Sequence, residues 1–215
     1  MTYSVLHIDD AERIPSEGFE WRPLRKVLGT TAFGVNGYTA RAGDEVIETH
    51  DEVGGGSAEH EELYVVIQGA ATFTVDGETV PAPTGTLLVV PPATKRGAVA
   101  DEDGTTVLVI GGKPGAAGPR TVFEYWYEAE PHYRSGDYAR AVEIASRGLE
   151  DWPEHPSLRY QLACYEALAG NREAAIEHLE IAFANNPKTR EWAAGDEDLA
   201  SVREDPALAS GGPSQ

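Results

Sequence analysis

His60-Glu61-Glu62-Leu63-Tyr64-Val65-Val66-Ile67-Gln68-Gly69 reads as a strand that ends in a turn. Leu63–Ile67 is built from aromatic and β-branched residues that suit a pleated, half-buried surface, and Gly69 allows the chain to reverse. Downstream, Thr72-Phe73-Thr74-Val75 and Glu78-Thr79-Val80 flank Asp76-Gly77, the dipeptide that favours a two-residue hairpin. Working outward, similar short runs recur at Ala32–Ala40, Glu45–Thr49, Ala71–Val75, Thr86–Val90, Gly97–Ala100 and Thr105–Ile110. Strands at such spacing, separated by Gly and Pro, predict an all-β sandwich or barrel. Pro81, Pro83, Pro91 and Pro92 belong at turns or on edge strands, because proline cannot donate to a ladder.

The texture changes after Gly111-Gly112-Lys113-Pro114-Gly115-Ala116-Ala117-Gly118-Pro119, which has no periodicity and is read as a domain boundary. We place a β domain at residues 1–115 and a helical one at 116–215. In the second, Gly136 recurs as Gly170, Asp137 as Asn171, Ala141 as Ala175, Glu143 as Glu177 and Pro153 as Pro187, each pair 34 residues apart. Over Val122–Pro187 this resembles two tetratricopeptide repeats, although Glu128-Ala129 fits the first repeat less well than Leu162-Ala163 fits the second. Thr189–Leu208 is expected to cap the array, and Ala209–Gln215 to fray. Two repeats bury little surface on their own, so the aromatic run Tyr125-Trp126-Tyr127 is assigned to core or to docking of the array on the barrel or a second subunit.

The stretch quoted first resembles the end of the first cupin motif, in which a Glu precedes a turn Gly by seven residues; Glu62 and Gly69 hold that spacing. Gly85 and Pro91 resemble the start of the second motif. The likeness spans roughly Thr39–Gly111 and implies an α+β two-domain chain: an antiparallel cupin-like β-barrel followed by tetratricopeptide-type helical hairpins. In metal-bearing cupins, histidines lie four and six residues before the Glu and five after the Pro. Those places hold Ala58, Gly56 and Arg96 here, and a guanidinium has no lone pair to give a metal. A looser register, with Val53–Glu59 as an insertion, brings His50, Glu52, His60 and Glu62 to one barrel mouth as ligands for zinc, manganese or iron(II). The alternative, favoured on the strict register, is a metal-free cavity in which Arg96, Glu62 and Tyr64 bind a small molecule. Arg96 then either serves an anionic ligand or pairs with Glu62.

Composition narrows the classes. The 215 residues carry 17 Lys+Arg against 36 Asp+Glu, a net charge of −19. Residues 1–118 hold 8 basic and 18 acidic groups and the remainder 9 and 18, so both halves are acidic. Such a field repels phosphates and anionic membranes, and argues against nucleic acid or membrane partners. Cys164 is the single cysteine, which leaves no internal disulfide and predicts a buried structural thiol. No signal-like start or membrane-length apolar run is present, and a cytoplasmic location is expected. Two function classes remain open: a small-molecule-binding cupin with or without catalysis, and an interaction protein whose helices recruit a partner while the barrel forms a homodimer.

Overall fold

Burial alternates with a period of two along strands such as Ala70–Val75 and follows a helical period after residue 121, within a computed structural model that describes residues 3–53 and 59–209. The Gly54–Ala58 part of the expected insertion and the Ser210–Gln215 part of the expected tail lie outside the described residues. The chain divides into two units, Met1–Ala117 and Gly118–Gln215.

The first unit contains β1 (Ile14–Pro15), β2 (Phe19–Arg22), a short α1 (Leu24–Leu28), β3 (Gly34–Ala40), β4 (Glu45–His50), β5 (Glu61–Gln68), β6 (Ala70–Val75), β7 (Glu78–Pro83), β8 (Leu87–Val90), β9 (Arg96–Ala100) and β10 (Thr105–Gly112). One sheet runs β1-β2-β3-β10-β5-β8 and the other β4-β9-β6-β7, with antiparallel pairing between neighbours. Their facing residues make one core, with Tyr64, Val66 and Val107 from the first sheet and Val46, Phe73 and Ala98 from the second. Asp76 and Gly77 both have positive φ, +46° and +87°, as a hairpin turn matched to the strand twist requires. Pro81 and Pro83 lie on β7, an edge strand.

β1, β2 and α1 are absent from the strand pattern read in the sequence. Ile14–Pro15 and Phe19–Arg22 are too short to carry a clear period; they are strands because β2 pairs onto β3 and β1 onto β2. The outer face of the six-stranded sheet is covered by the segment before β1 and by α1, where Ala11, Leu24 and Val35 form a small second core with Leu6, Ile8 and Leu28 packed against it. Arg22 is buried on this side, and Gly37 makes room for its stem, since a Cβ there would stand 3.5 Å from the Arg22 Cβ.

The second unit contains α2 (Val122–Ser135), α3 (Tyr138–Asp151), α4 (Pro156–Leu168), α5 (Arg172–Asn185), α6 (Lys188–Gly195) and α7 (Pro206–Ala209). Thr121 and Glu124 cap α2, the Thr121 N–H donating to Glu124 Oε2 at 2.7 Å. Gly136 ends α2 at φ +80°, and Asp137 then caps α3 by accepting from the Arg140 N–H at 3.3 Å. Gly170 repeats this geometry at φ +85° between α4 and α5. Fully buried alanines at 129, 141, 145, 163, 175 and 182 allow the helices to approach closely. Gly148 does the same more sharply: a Cβ there would lie 2.9 Å from Tyr125 Cδ2 and 3.0 Å from Leu158 Cδ2. Tyr125 is therefore core of the helical unit, whereas Phe123 and Tyr127 beside it are exposed. Cys164 is buried in α4. Among the described residues no helix is long and apolar enough to cross a membrane.

Candidate functional site

The strand registers fix where the inward-facing polar groups meet. Gly111 of β10 stands opposite both Gly34 of β3 and Glu62 of β5, and one pleat deeper Val109 stands opposite Asn36 and Tyr64. In the other sheet His50 of β4 pairs with Arg96 of β9. The walls enclose a cavity of about 290 Å³ that includes Glu48, His50, Glu52, His60, Glu62 and Tyr64. Its near wall is glycine: a Cβ on Gly111 would meet Glu62 Cγ at 3.5 Å and Glu62 Oε1 at 3.7 Å. Absent side chains keep the mouth open.

Glu62 is the hub. Its Oε2 accepts a hydrogen bond from the Tyr64 hydroxyl, lies 3.3 Å from His50 Nε2 and 3.5 Å from Arg96 Nε. Burial pushes the carboxyl pKa up, but the bonds from His50 and Tyr64 and the charges of His50 and Arg96 outweigh it, holding the group below its ordinary value. Glu62 is thus an ionised acceptor. Its Oε1 takes no hydrogen bond among the described residues.

His50 is oriented from behind. Its Nδ1 lies 2.7 Å from the Glu48 carbonyl oxygen, which can only accept, so Nδ1 carries a proton. Nε2 is left facing Glu62 and, at 3.4 Å, Glu52 Oε1. The hydrogen bond with Glu62 raises the His50 pKa against the opposing effect of burial. Deeper in, burial and the charges of Glu62, Glu48 and Glu52 push the Tyr38 phenol up to about 12, so it remains a hydroxyl donor.

Arg96 is wholly buried, while its neighbour Lys95 is exposed. Its Nη1 donates to the Thr94 carbonyl at 2.8 Å and its Nη2 to those of Pro91 and Val90 at 3.3 and 3.5 Å. The two Nη groups are committed to carbonyls, while Nε makes no hydrogen bond and stands 3.5 Å from Glu62 Oε2, so that Arg96 is an internal counter-ion at the place of a third histidine.

Of the expected metal ligands, His50, Glu52 and Glu62 have donor atoms within 4.8 Å of one another. His60 lines the cavity but is not in this group; it precedes β5, and its Nδ1 lies 3.7 Å from where a Gly111 Cβ would be. The three donors fit a divalent cation in one respect: Glu52 Oε2 is buried with no hydrogen-bond partner. The His50 Nδ1–H bond to a carbonyl is also what a metal-bound imidazole uses to present Nε2. Phe19, Arg25, Asn36, Tyr38 and Glu48 complete the wall and were not identified from the sequence, because cross-strand register and not a local motif brings them there.

The family model for the cupin domain matches residues 47–111, the segment that carries His50, Glu52, Glu62, Tyr64 and Arg96. The first unit contains a cupin domain. No curated protein matches the chain. Among solved structures, a cupin protein from Bacteroides fragilis is 24% identical, with a TM-score of 0.45, covering 56% of this chain and 92% of its own. KdgF from Halomonas sp. is 21% identical, at a TM-score of 0.42, covering 51% and 93%. A sugar phosphate isomerase of the cupin superfamily from Silicibacter pomeroyi is 22% identical, also at 0.42, covering 51% and 76%. Around the cupin domain of this chain the site differs from a metal-bearing set in one respect above others: Arg96 lies behind Glu62.

Proposed function

We propose that the cupin domain binds a small, hydrogen-bond-donating organic molecule in the cavity between its sheets, with Glu62 as a fixed anionic acceptor and His50 as the group that exchanges a proton with it. The observation that carries this is the saturation of Glu62 Oε2 by Tyr64, His50 and Arg96, which keeps the carboxylate charged and leaves Oε1 for a ligand. Three carboxylates of the site, Glu48, Glu52 and Glu62, are matched by Arg25, Arg96 and protonated His50, so the site is close to neutral without a metal. The test is a thermal-shift screen of polyols, hydroxy acids and amines on the wild-type protein and on Gly111→Val, whose side chain fills the mouth. A compound that raises Tm in the wild type and not in Gly111→Val is the expected result. Absence of any stabilising compound, or an equal shift in the variant, overturns the reading.

The orphaned Glu52 Oε2 supports a second reading in which His50, Glu52 and Glu62 hold zinc, manganese or iron(II). Such an ion would polarise an oxygen of the ligand as a Lewis acid, while Arg96 holds Glu62 in place and Tyr38 donates from the opposite wall. Elemental analysis of protein purified without chelators or metal-affinity resin separates the two readings. A stoichiometric metal that is lost in both His50→Ala and Glu52→Ala establishes the second.

We further read the helical unit as tetratricopeptide-type hairpins, supported by the matching positive-φ glycines 136 and 170 and the buried alanines that follow each. We also read the barrel as self-associating, because β8 is a sheet edge whose outer face exposes Leu87 and Val89. Sedimentation of Val89→Lys beside the wild type tests this; a wild-type monomer at tens of micromolar overturns it.

A further inference from the structure

The helical unit has a cavity of its own, about 480 Å³, walled by Phe123 and Trp126 of α2, Tyr160 and Gln161 of α4 and Trp192 of α6. No Lys, Arg, Asp or Glu lines it. Tyr160 and Trp192 meet edge to face, with centroids 5.6 Å apart and planes at 87°, and so form two perpendicular walls of a corner. Phe123 and Trp126 form a second angled pair, at 6.2 Å and 52°. Phe123 and Trp192 remain 60% and 47% exposed, a large aromatic surface for a helix face to leave in water.

His155 is the one basic side chain in the lining, and the charged group bonded directly to one of the rings is a carboxylate. The Tyr160 hydroxyl donates to Asp196 Oδ2 at 2.7 Å, which enriches the phenol ring in electron density. Asp196, Asp198 and Cys164 place their polar atoms within 4.8 Å of one another, and burial and the charge of Asp196 push the Asp198 carboxyl pKa up even though Tyr133 donates to it. Arg203 bonds the Asp196 backbone carbonyl at 3.1 Å, not its carboxylate. Residues 119–215 as a whole carry twice as many acidic as basic groups. An anion is repelled from such a cavity. A primary ammonium is held back by its hydration, and a neutral apolar group gains nothing from the field. An ammonium wrapped in alkyl groups gains from both the ring faces and the field, since its charge is spread over a surface that sheds water easily.

We propose that this aromatic cavity binds the alkylated ammonium group of a small organic cation. The proposal is independent of the cupin-domain reading. The experiment is a titration of the full chain with choline chloride at ionic strength held constant with sodium chloride, followed by tryptophan fluorescence and calorimetry. It is run in parallel with 3,3-dimethylbutan-1-ol, which has the same shape without the charge. Choline is expected to bind at least about tenfold more tightly than the alcohol. Trp192→Ala is expected to weaken choline binding by about tenfold or more with an unchanged melting curve, and Trp192→Phe to restore part of it. If Trp192→Ala does not fold, Phe123→Ala, at a more exposed ring, replaces it. Equal affinity for choline and the alcohol, no saturable choline binding below about 50 mM, or full affinity in the ring-removed variant each overturns the proposal.

Discussion

Arg96 and Arg22 are both buried in the β unit, 0% and 2% exposed, yet the two faces of the six-stranded sheet treat them differently. Arg96 points from β9 into the space between the sheets, where three carbonyls and the Glu62 carboxylate receive it. Arg22 lies on the outer face under the N-terminal segment, where it donates to the Thr39 hydroxyl; the Nε of neither arginine makes a hydrogen bond, but only that of Arg96 has a carboxylate oxygen 3.5 Å away. Thr39 in turn shares a 2.9 Å bond with Thr106, which donates to the Gly104 carbonyl at 3.0 Å. A cation inside the barrel is thus paired with a carboxylate and tied to a site, while the one outside is held by a hydroxyl, with the charges of Glu20 and Asp9 acting on it without an ion pair. The inner face is where the sheet spends charge on function, and the outer face tolerates charge as a by-product of covering the sheet.

The strongest way to break this contrast is to remove the inner guanidinium. Arg96→Ala leaves Glu62 with one cation fewer in a closed space and is expected to destabilise by about 3–5 kcal/mol, read by urea denaturation. Replacing the pair together, Glu62→Gln with Arg96→Met, is expected to cost less than Arg96→Ala alone; strict additivity would show that the two groups are not coupled. On the outer face, Thr39→Val strips Arg22 of its acceptor and should cost about 1–3 kcal/mol. Arg22→Met removes the orphaned donor itself and should change stability by less than about 1 kcal/mol in either direction. If Arg22→Met proves as damaging as Arg96→Ala, the distinction between the faces fails.

The mildest test is pH. His50 has a raised folded-state pKa, so its contribution to stability is complete below its unfolded value near 6.5 and fades as pH rises through the folded one. Glu62 has a lowered pKa, so its contribution is complete above its unfolded value near 4.3 and fades as pH falls through the folded one. Stability should therefore plateau between those two unfolded values and decline gently on both sides. His50→Gln should flatten the alkaline decline and, because His50 helps hold the Glu62 pKa down, also soften the acid one; an unchanged profile would show that His50 does not sense Glu62 in solution.

Much of the barrel is visible in the sequence because its signals are local. Asp76-Gly77 names its own turn, and the β-branched runs name their strands. β1 and β2 are not visible, because Phe19–Arg22 becomes a strand only by pairing onto β3, and Ile14–Pro15 only by pairing onto β2. In the site, Glu62 and Arg96 fall where motif spacing points inward, whereas His50 and Glu52 needed a shifted register, since residues 53–59 lengthen the connection between β4 and β5. Asn36, Tyr38 and Arg25 were hidden because a cavity wall is assembled across strands distant in sequence. The helical unit follows the same division. Gly136 and Gly170 announce turns, but the need for Gly148 arises from Tyr125 on another helix and leaves no mark near residue 148.

One consequence of the Arg96 contacts concerns the order of events. β8 belongs to one sheet and β9 to the other, and the connection between them is gripped by the Arg96 bonds to Val90, Pro91 and Thr94. The same side chain reaches Glu62 on β5. The crossing from sheet to sheet must therefore be in place before the charged cluster exists, and a chain with an unclosed barrel has no site to offer. Such long-range closure forms late along a folding path, so ligand capture reports completion of the fold, and the amide protons of Ala93, Lys95 and Arg96 should exchange through global unfolding rather than local fraying.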